Sequence, residues 1–167
     1  MEDKEKYLNF GECRSLVPKT VGEPGERIFS IQIECENNYV NLFLEKEQLA
    51  LISQKINKYN SFAQPKKVNI PITDKTRINN YKLIDFALEF EENLNIFDFY
   101  FVGVDDQDKG IAAMFYYQNE YAQFFAKNSL KIISQGRPIC SLCFNPINKD
   151  GHFCIKMNGH IENIKIV

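Results

Sequence analysis

The stretch that decides the fold is residues 28–59, which read IFSIQIECENNYVNLFLEKEQLALISQKINKY. Its opening residues alternate, so that Phe29, Ile31 and Ile33 face one side of a strand and polar residues face the other. Such alternation is typical of a half-buried strand, which we place over residues 27–36. The stretch therefore predicts that a sheet builds this part of the molecule.

Further elements lie on both sides of this strand. A strand over residues 10–17 precedes it, joined by a turn that contains Pro24 between two glycines. Another strand, over residues 39–44, follows an Asn-Asn turn. A helix over about residues 45–59 comes next, because its apolar residues recur at helical spacing: Leu49, Ile52, Ile56 and Tyr59. The first part of the chain thus predicts one βββα unit.

The second half of the chain repeats this order. Residues 61–80 contain two prolines and a Lys-Lys pair, which indicates a surface connection. Strands are predicted over residues 81–91, 95–104 and 110–117. A helix follows from about residue 119 to 134, where its apolar positions end before a glycine and a proline. A second βββα unit is therefore expected.

The two units, at about residues 10–60 and 81–135, indicate an α+β fold. Antiparallel sheet is expected to pack with two helices as a sandwich, because each sheet keeps one face for the core. We place this body over residues 1–136 and a zinc-binding C-terminal segment, ending in a short strand, over residues 137–167. The weak similarity between the two units makes a duplication only a hypothesis.

Composition places the chain among globular proteins. Its 167 residues are 44% apolar and 25% charged, which suits one domain with a substantial core. A net charge of −2 argues against a general nucleic-acid binder. We see no signal peptide and no apolar run of about 20 residues that would insert into a membrane. The cysteine spacing is unlike a disulfide framework, so we expect a reducing compartment, the cytoplasm.

The C-terminal segment carries a zinc-binding pattern. Cys140 and Cys143 form a Cys-x2-Cys knuckle, and His152 and Cys154 follow after a short loop. On an extended segment, two residues at i and i+2 point to the same face, so His152 and Cys154 can reach one ion. His160 is the alternative fourth ligand.

A site with these four protein donors has no open position for water. We therefore interpret the Zn²⁺ as structural rather than catalytic. The alternative to a metal site is a set of buried thiols and a surface histidine, as free cysteine is often buried. The ligand spacing favours zinc.

Several motifs, which together cover almost the whole chain, form a recognisable set: Gly22-x-Pro24-Gly25-x-Arg27, Phe125-Ala-Lys127, Gly136-Arg-Pro138, Cys140-x2-Cys143, Gly151-His-x-Cys154 and Asn158-Gly159. The set resembles domain-of-unknown-function family 3090, which is best represented in actinobacteria. The resemblance implies no activity, because that family has none assigned. It implies genomic neighbours that look like a lipid kinase and a histidine phosphatase, which suggests a signalling or processing role.

This chain departs from the family pattern beside the zinc ligands. Ser141 and Ile155 stand where the family usually has proline, and Phe144 replaces the usual glycine after the second cysteine. Glycine favours the positive φ of a knuckle turn. The departures therefore affect the geometry of the turn rather than the predicted ligands.

Four residues are candidates for binding a ligand or partner. Arg27 and Arg137 belong to a small set of arginines, and arginine is suited to bidentate contacts with carboxylate or phosphate. The alternative for both is an internal ion pair with a glutamate. Lys127 would add to a basic edge, and Asn158 lies in a motif shared with the family.

Other polar clusters have simpler explanations than catalysis. Glu45, Glu47 and Gln48 suit the start of a helix, where negative charge is favourable. The acidic run at residues 105–108 lacks the later ligands of a calcium loop and predicts a solvated turn. Both histidines lie in the zinc segment, so no Ser-His-Asp set is visible.

These observations leave three classes of function. The first is a non-catalytic adaptor or binding protein whose sheet and knuckle present a surface to a protein partner. The second is a nucleic-acid or nucleotide binder that uses a basic edge near the knuckle and exposed aromatic side chains. The third is an enzyme without a recognisable motif. The lack of a catalytic set favours the first.

Overall fold

The structure is a computed structural model that describes residues 6–23, 25–67, 78–135 and 142. Besides one short 3-10 helix (Asn60–Phe62), six strands and two α-helices are present in this part of the chain. In chain order they are β1 (Leu8–Val21), β2 (Ile28–Cys35), β3 (Tyr39–Leu44), α1 (Lys46–Asn57), β4 (Asn79–Glu91), β5 (Ile96–Val104), β6 (Gly110–Gln118) and α2 (Asn119–Ser134).

The six strands form a closed barrel in which each strand neighbours the next in sequence order. Within each unit the pairing is antiparallel, as expected for strands joined by short turns. The two units are joined by parallel pairs, β3 with β4 and β1 with β6. Two similar halves thus close on each other.

The prediction of an α+β fold from two βββα units is confirmed, with six strands packed against two helices. The bounds of β3 and α2 agree with those expected, and the other elements differ by a few residues. The arrangement of the strands differs from the expected sandwich, because the parallel pairs close them into one barrel. The predicted terminal strand and zinc segment lie outside the described residues.

The barrel interior is packed with alternate residues of the strands. Phe29, Ile31 and Ile33 of β2 are buried, as their alternation predicts, and Phe97, Phe99 and Phe101 of β5 form the equivalent series. A cavity of about 30 Å³ remains among these apolar side chains, which is on the order of the space of one water molecule. The barrel interior is therefore a packed core rather than a ligand cavity.

Both helices begin at the same end of the barrel. Through the parallel pairs, β3 and β6 run in the same direction, and each is followed at once by its helix. The helices pack against each other, and α2 also packs against β1. Small buried residues at the helix faces, Ser53, Ala122, Ala126 and Ser129, allow a close approach. None of the helices among the described residues is long and apolar enough to cross a bilayer.

Candidate functional site

Exposed apolar side chains gather on the outside of β1 to β4, and we call Val21, Ile28, Phe43 and Ile84 the apolar face. Their exposed fractions are 72%, 60%, 36% and 54%. Val21 lies directly opposite Ile28 in the β1–β2 pair. Buried residues alternate with Ile28 and Phe43, and the exposed fractions of Val21 and Ile84 place these two side chains away from the core as well. Ile84 lies where a bulge shifts the β4–β5 register. An exposed apolar cluster of this kind is typical of interaction sites.

Lysines flank the apolar face along one row that crosses the sheet. Lys19 lies opposite Ser30, Ser30 opposite Phe43, and Phe43 opposite Lys82. Both lysines are exposed, whereas Ser30 between them is buried although it lies on the outer side. The row therefore places an aromatic ring between two positive charges on one surface.

A shallow pit joins two members of the apolar face, Ile28 and Phe43. Its lining also includes three charged residues and two buried apolar ones: Arg27, Glu45, Lys82, Phe29 and Leu44. The pit gives the surface a concave centre, and aromatic residues in such centres are frequent anchors of binding energy in protein interfaces. The structure thus brings β2, β3 and β4 together into one continuous surface.

The guanidinium of Arg27, a candidate for bidentate ligand contacts, is hydrogen-bonded to the end of α2. Its Nη1 donates a hydrogen bond to the carbonyl of Ile132 at 2.7 Å, and its Nη2 donates to the carbonyl of Ile133 at 2.8 Å. The guanidinium also lies over the ring of Phe29, 5.1 Å from its centroid. Since the last carbonyls of a helix lack partners within the helix, Arg27 stabilises the end of α2.

We expect Arg27→Lys to lower the free energy of unfolding by about 1.5–3 kcal/mol, the range for hydrogen bonds to a charged group. A lysine keeps the charge but cannot donate to two carbonyls in the fork geometry of a guanidinium. Urea unfolding measures the loss, and hydrogen exchange locates it at the last turn of α2. A variant as stable as the wild type, with unchanged exchange there, would contradict this role.

Lys127 lies on the exposed side of α2, and Lys131 follows it one turn later. The two form a small basic strip on the helix. Lys131 also borders a surface pit with Val17 and Asn128, where α2 lies beside β1. Pro18, the chain neighbour of Lys19, also lines this pit, so the strip lies close to the β1 end of the lysine row.

Two polar clusters considered for chemistry take part in local structure. The side-chain oxygen of Gln48 accepts a hydrogen bond from the backbone N–H of Glu45 at 2.8 Å, at the start of α1. One carboxylate oxygen of Asp105 accepts hydrogen bonds from the N–H groups of Gln107 and Lys109, at 2.9 and 2.8 Å. These contacts organise a helix start and the β5–β6 turn.

The predicted zinc ligands Cys140, Cys143, His152 and Cys154 lie outside the described residues, as do His160, Arg137 and Asn158. Across residues 6–23, 25–67 and 78–135, no three side chains of His, Cys, Asp or Glu are grouped to hold a metal ion. The zinc site therefore stays a prediction from sequence.

Sequence reasoning missed the apolar face, although one signal for Phe43 was available. Val40, Leu42 and Leu44 are the inward residues of β3, so alternation places Phe43 outward. A large aromatic residue on the solvent side of a strand indicates a surface that binds something. The pairing that brings Phe43 beside Lys82 had no signal, because the two residues come from different units.

A comparison with protein families identifies the chain. One family model matches residues 8–91 and 86–154, which together include every described strand and helix. The chain belongs to the family described as protein of unknown function (DUF3090). Membership in DUF3090 confirms the resemblance drawn from the sequence motifs. No curated protein and no solved structure matches the chain.

Proposed function

We propose that this DUF3090 protein is a non-catalytic binding protein whose apolar face receives a protein partner. The observation that carries the proposal is the exposed pair Ile28 and Phe43, which share one pit on the outside of the barrel. Burying such side chains is favourable by about 25 cal/mol for each Å² removed from water. The packed barrel holds these side chains in place, so little conformational entropy is lost when a partner binds them.

The row Lys19, Ser30, Phe43 and Lys82 indicates the chemistry of the partner. A segment that covers Phe43 brings its flanking side chains close to both lysines. Carboxylates at those flanks are attracted, whereas lysines or arginines are repelled. We therefore propose a partner segment with apolar side chains between acidic ones.

We expect Phe43→Asp to weaken binding of the partner at least tenfold, or about 1.4 kcal/mol. The substitution removes the aromatic anchor and places a negative charge where acidic groups are expected. The tagged protein is purified from its native cells as wild type, Phe43→Asp and Leu51→Asp. Leu51 is an exposed leucine of α1 that belongs neither to the apolar face nor to its pit, so Leu51→Asp is the matched control.

The three proteins are first compared for their unfolding midpoints, so that a folding defect is not taken for a binding defect. A partner that is retained by wild type and Leu51→Asp but lost from Phe43→Asp supports the proposal. Equal recovery with all three, or a wild-type protein that always elutes alone, contradicts it.

Nucleic-acid binding is the alternative, with Lys127 and Lys131 of α2 as its basic strip. Phosphate contacts are strongest at low ionic strength, so single-stranded RNA is titrated at about 50 mM salt. RNA binding that weakens with added salt and is lost in Lys127→Glu would show that the ligand is a nucleic acid and not a protein. The net charge of −2 and the engagement of Arg27 by α2 favour the protein partner.

We also propose a structural Zn²⁺ held by Cys140, Cys143, His152 and Cys154. The support is the donor chemistry, since three thiolates and one imidazole satisfy the tetrahedral preference of zinc. The spacing of the knuckle gives two of these ligands from one short turn. With four protein ligands, the ion would stabilise the C-terminal segment and would not activate water.

We expect one zinc ion for each chain of the purified protein, measured by elemental analysis. Cys143→Ser removes a thiolate ligand, so its zinc content is expected to fall to background. Cys35→Ala is the control, because Cys35 is buried in β2 and outside the predicted ligand set. Wild-type protein without bound metal, or equal zinc in both variants, would contradict the site.

A further inference from the structure

Two cysteines that the proposed function does not use lie opposite each other inside the barrel. Cys13 of β1 and Cys35 of β2 are direct partners across the antiparallel pair. Opposite residues in such a pair have Cα atoms about 4.5–5.5 Å apart. Disulfides span Cα distances of about 4.4–6.8 Å, so the register places both cysteines within reach of a bond.

The two thiols also contact each other. Both side chains are free cysteines and are only 4% exposed. Burial raises the pKa of the Cys13 thiol well above its usual value, and the hydrogen bond with Cys35 raises it further. Cys13 Sγ donates a hydrogen bond to the carbonyl of Ser15 at 3.2 Å. Cys13 is thus held as a neutral thiol in contact with the side chain of Cys35.

The backbone around Cys13 is irregular on both sides, which allows local adjustment. A bulge shifts the β1–β2 register between Cys13 and Ser15. Gly11 has a φ of 75°, in the left-handed region, and the β1–β6 register shifts between Asn9 and Glu12. Bulges bend a strand and redirect its side chains, so β1 can bring Cys13 to bonding distance without displacing the whole strand.

We propose that Cys13 and Cys35 are a modification site that forms an intrachain disulfide under oxidising conditions, independently of any partner. The oxidant is a low-molecular-mass disulfide, RSSR. One cysteine thiolate attacks a sulfur of RSSR, which gives a mixed disulfide and releases RS⁻. The second cysteine attacks the protein sulfur of that mixed disulfide and releases the other RS⁻. The two thiol protons pass to these leaving groups, so the protein loses two hydrogens and RSSR becomes two RSH.

The bond ties β1 to β2 next to the bulge. It restricts the unfolded chain by closing the β1–β2 hairpin, which favours the folded state. The oxidised protein is therefore expected to unfold at a higher urea concentration than the reduced protein. Burial makes both thiols slow to react in the folded state, because the reactive species is an exposed thiolate.

The test uses the full chain in a glutathione buffer rich in the oxidised form. Equilibrium is approached from native reduced protein and, separately, by refolding in the same buffer, so that slow access to buried thiols does not hide the product. Free thiols are then alkylated, and the protein is digested without reduction. We expect a peptide pair joined through Cys13 and Cys35, lighter by two hydrogens than the two thiol peptides.

Cys35→Ala is the matched variant, since it removes one partner and keeps the other four cysteines. Its urea midpoint is expected not to rise on oxidation, whereas that of the wild type rises and returns after reduction. Cys13 and Cys35 found alkylated after both approaches, or joined to cysteines of the C-terminal segment, would overturn the proposal. A rise of the midpoint in Cys35→Ala equal to that of the wild type would overturn the stabilising role of the bond.

Discussion

Phe115→Ala is expected to lower the free energy of unfolding by about 3–5 kcal/mol, the range for removing a buried phenylalanine. Phe115 is an inward residue of β6 and is 1% exposed. Its ring stacks on that of Phe99, with centroids 4.8 Å apart and an interplanar angle of 9°. A closed barrel cannot easily collapse to fill the space, so the loss includes the cavity that remains. Urea unfolding followed by circular dichroism measures it.

Leu94→Ala is the control for this prediction. Leu94 lies in the β4–β5 turn and is 65% exposed, so its truncation is expected to change the free energy of unfolding by about 0.5 kcal/mol or less. A loss near 1 kcal/mol for Phe115→Ala would mean that the barrel interior is not packed as described.

Asn119→Ala is expected to lower the free energy of unfolding by about 2–4 kcal/mol, because it removes three hydrogen bonds of about 1 kcal/mol each from a buried side chain. Asn119 is fully buried at the start of α2. Its Nδ2 donates to the carbonyl of Tyr59 at 3.1 Å and to Oδ1 of Asn95 at 3.0 Å. Its Oδ1 accepts a hydrogen bond from Gln123 Nε2 at 2.9 Å. One side chain thus connects the region after α1, the β4–β5 turn and α2.

Asn128→Ala changes the same residue type in the same helix at a half-buried position. Its expected effect is within about 0.5 kcal/mol. Urea unfolding of both variants separates the loss of the network from any general effect of replacing asparagine by alanine. Similar stabilities for the two variants would show that the Asn119 contacts contribute little.

Local structure could be predicted from the sequence because it depends on spacing along the chain. Alternation identifies Phe29, Ile31 and Ile33 as the inward face of β2, and helical spacing identifies α1 and α2. The end of β1 was placed too early, at residue 17. β1 continues to Val21, and at Pro18 it pairs with β2, whereas its pairing with β6 covers Leu8 to Glu12.

Contacts between distant parts of the chain had no comparable signal. The parallel pairs that close the barrel join different units, and alternation gives the face of a residue but not its neighbouring strand. For the same reason, Arg27 gave no sign that it would bind the carbonyls of Ile132 and Ile133, more than a hundred residues later. The apolar face combines both cases. Alternation predicts that Phe43 points outward, but nothing in the sequence predicts that it lies beside Lys82.

The affinity of the purified protein for the partner recovered with it tests the central claim most directly, that the apolar face is the binding surface. Isothermal titration compares wild type, Phe43→Asp and Leu51→Asp. We predict a dissociation constant at least about tenfold larger for Phe43→Asp and unchanged for Leu51→Asp. Equal dissociation constants for all three proteins would contradict the account.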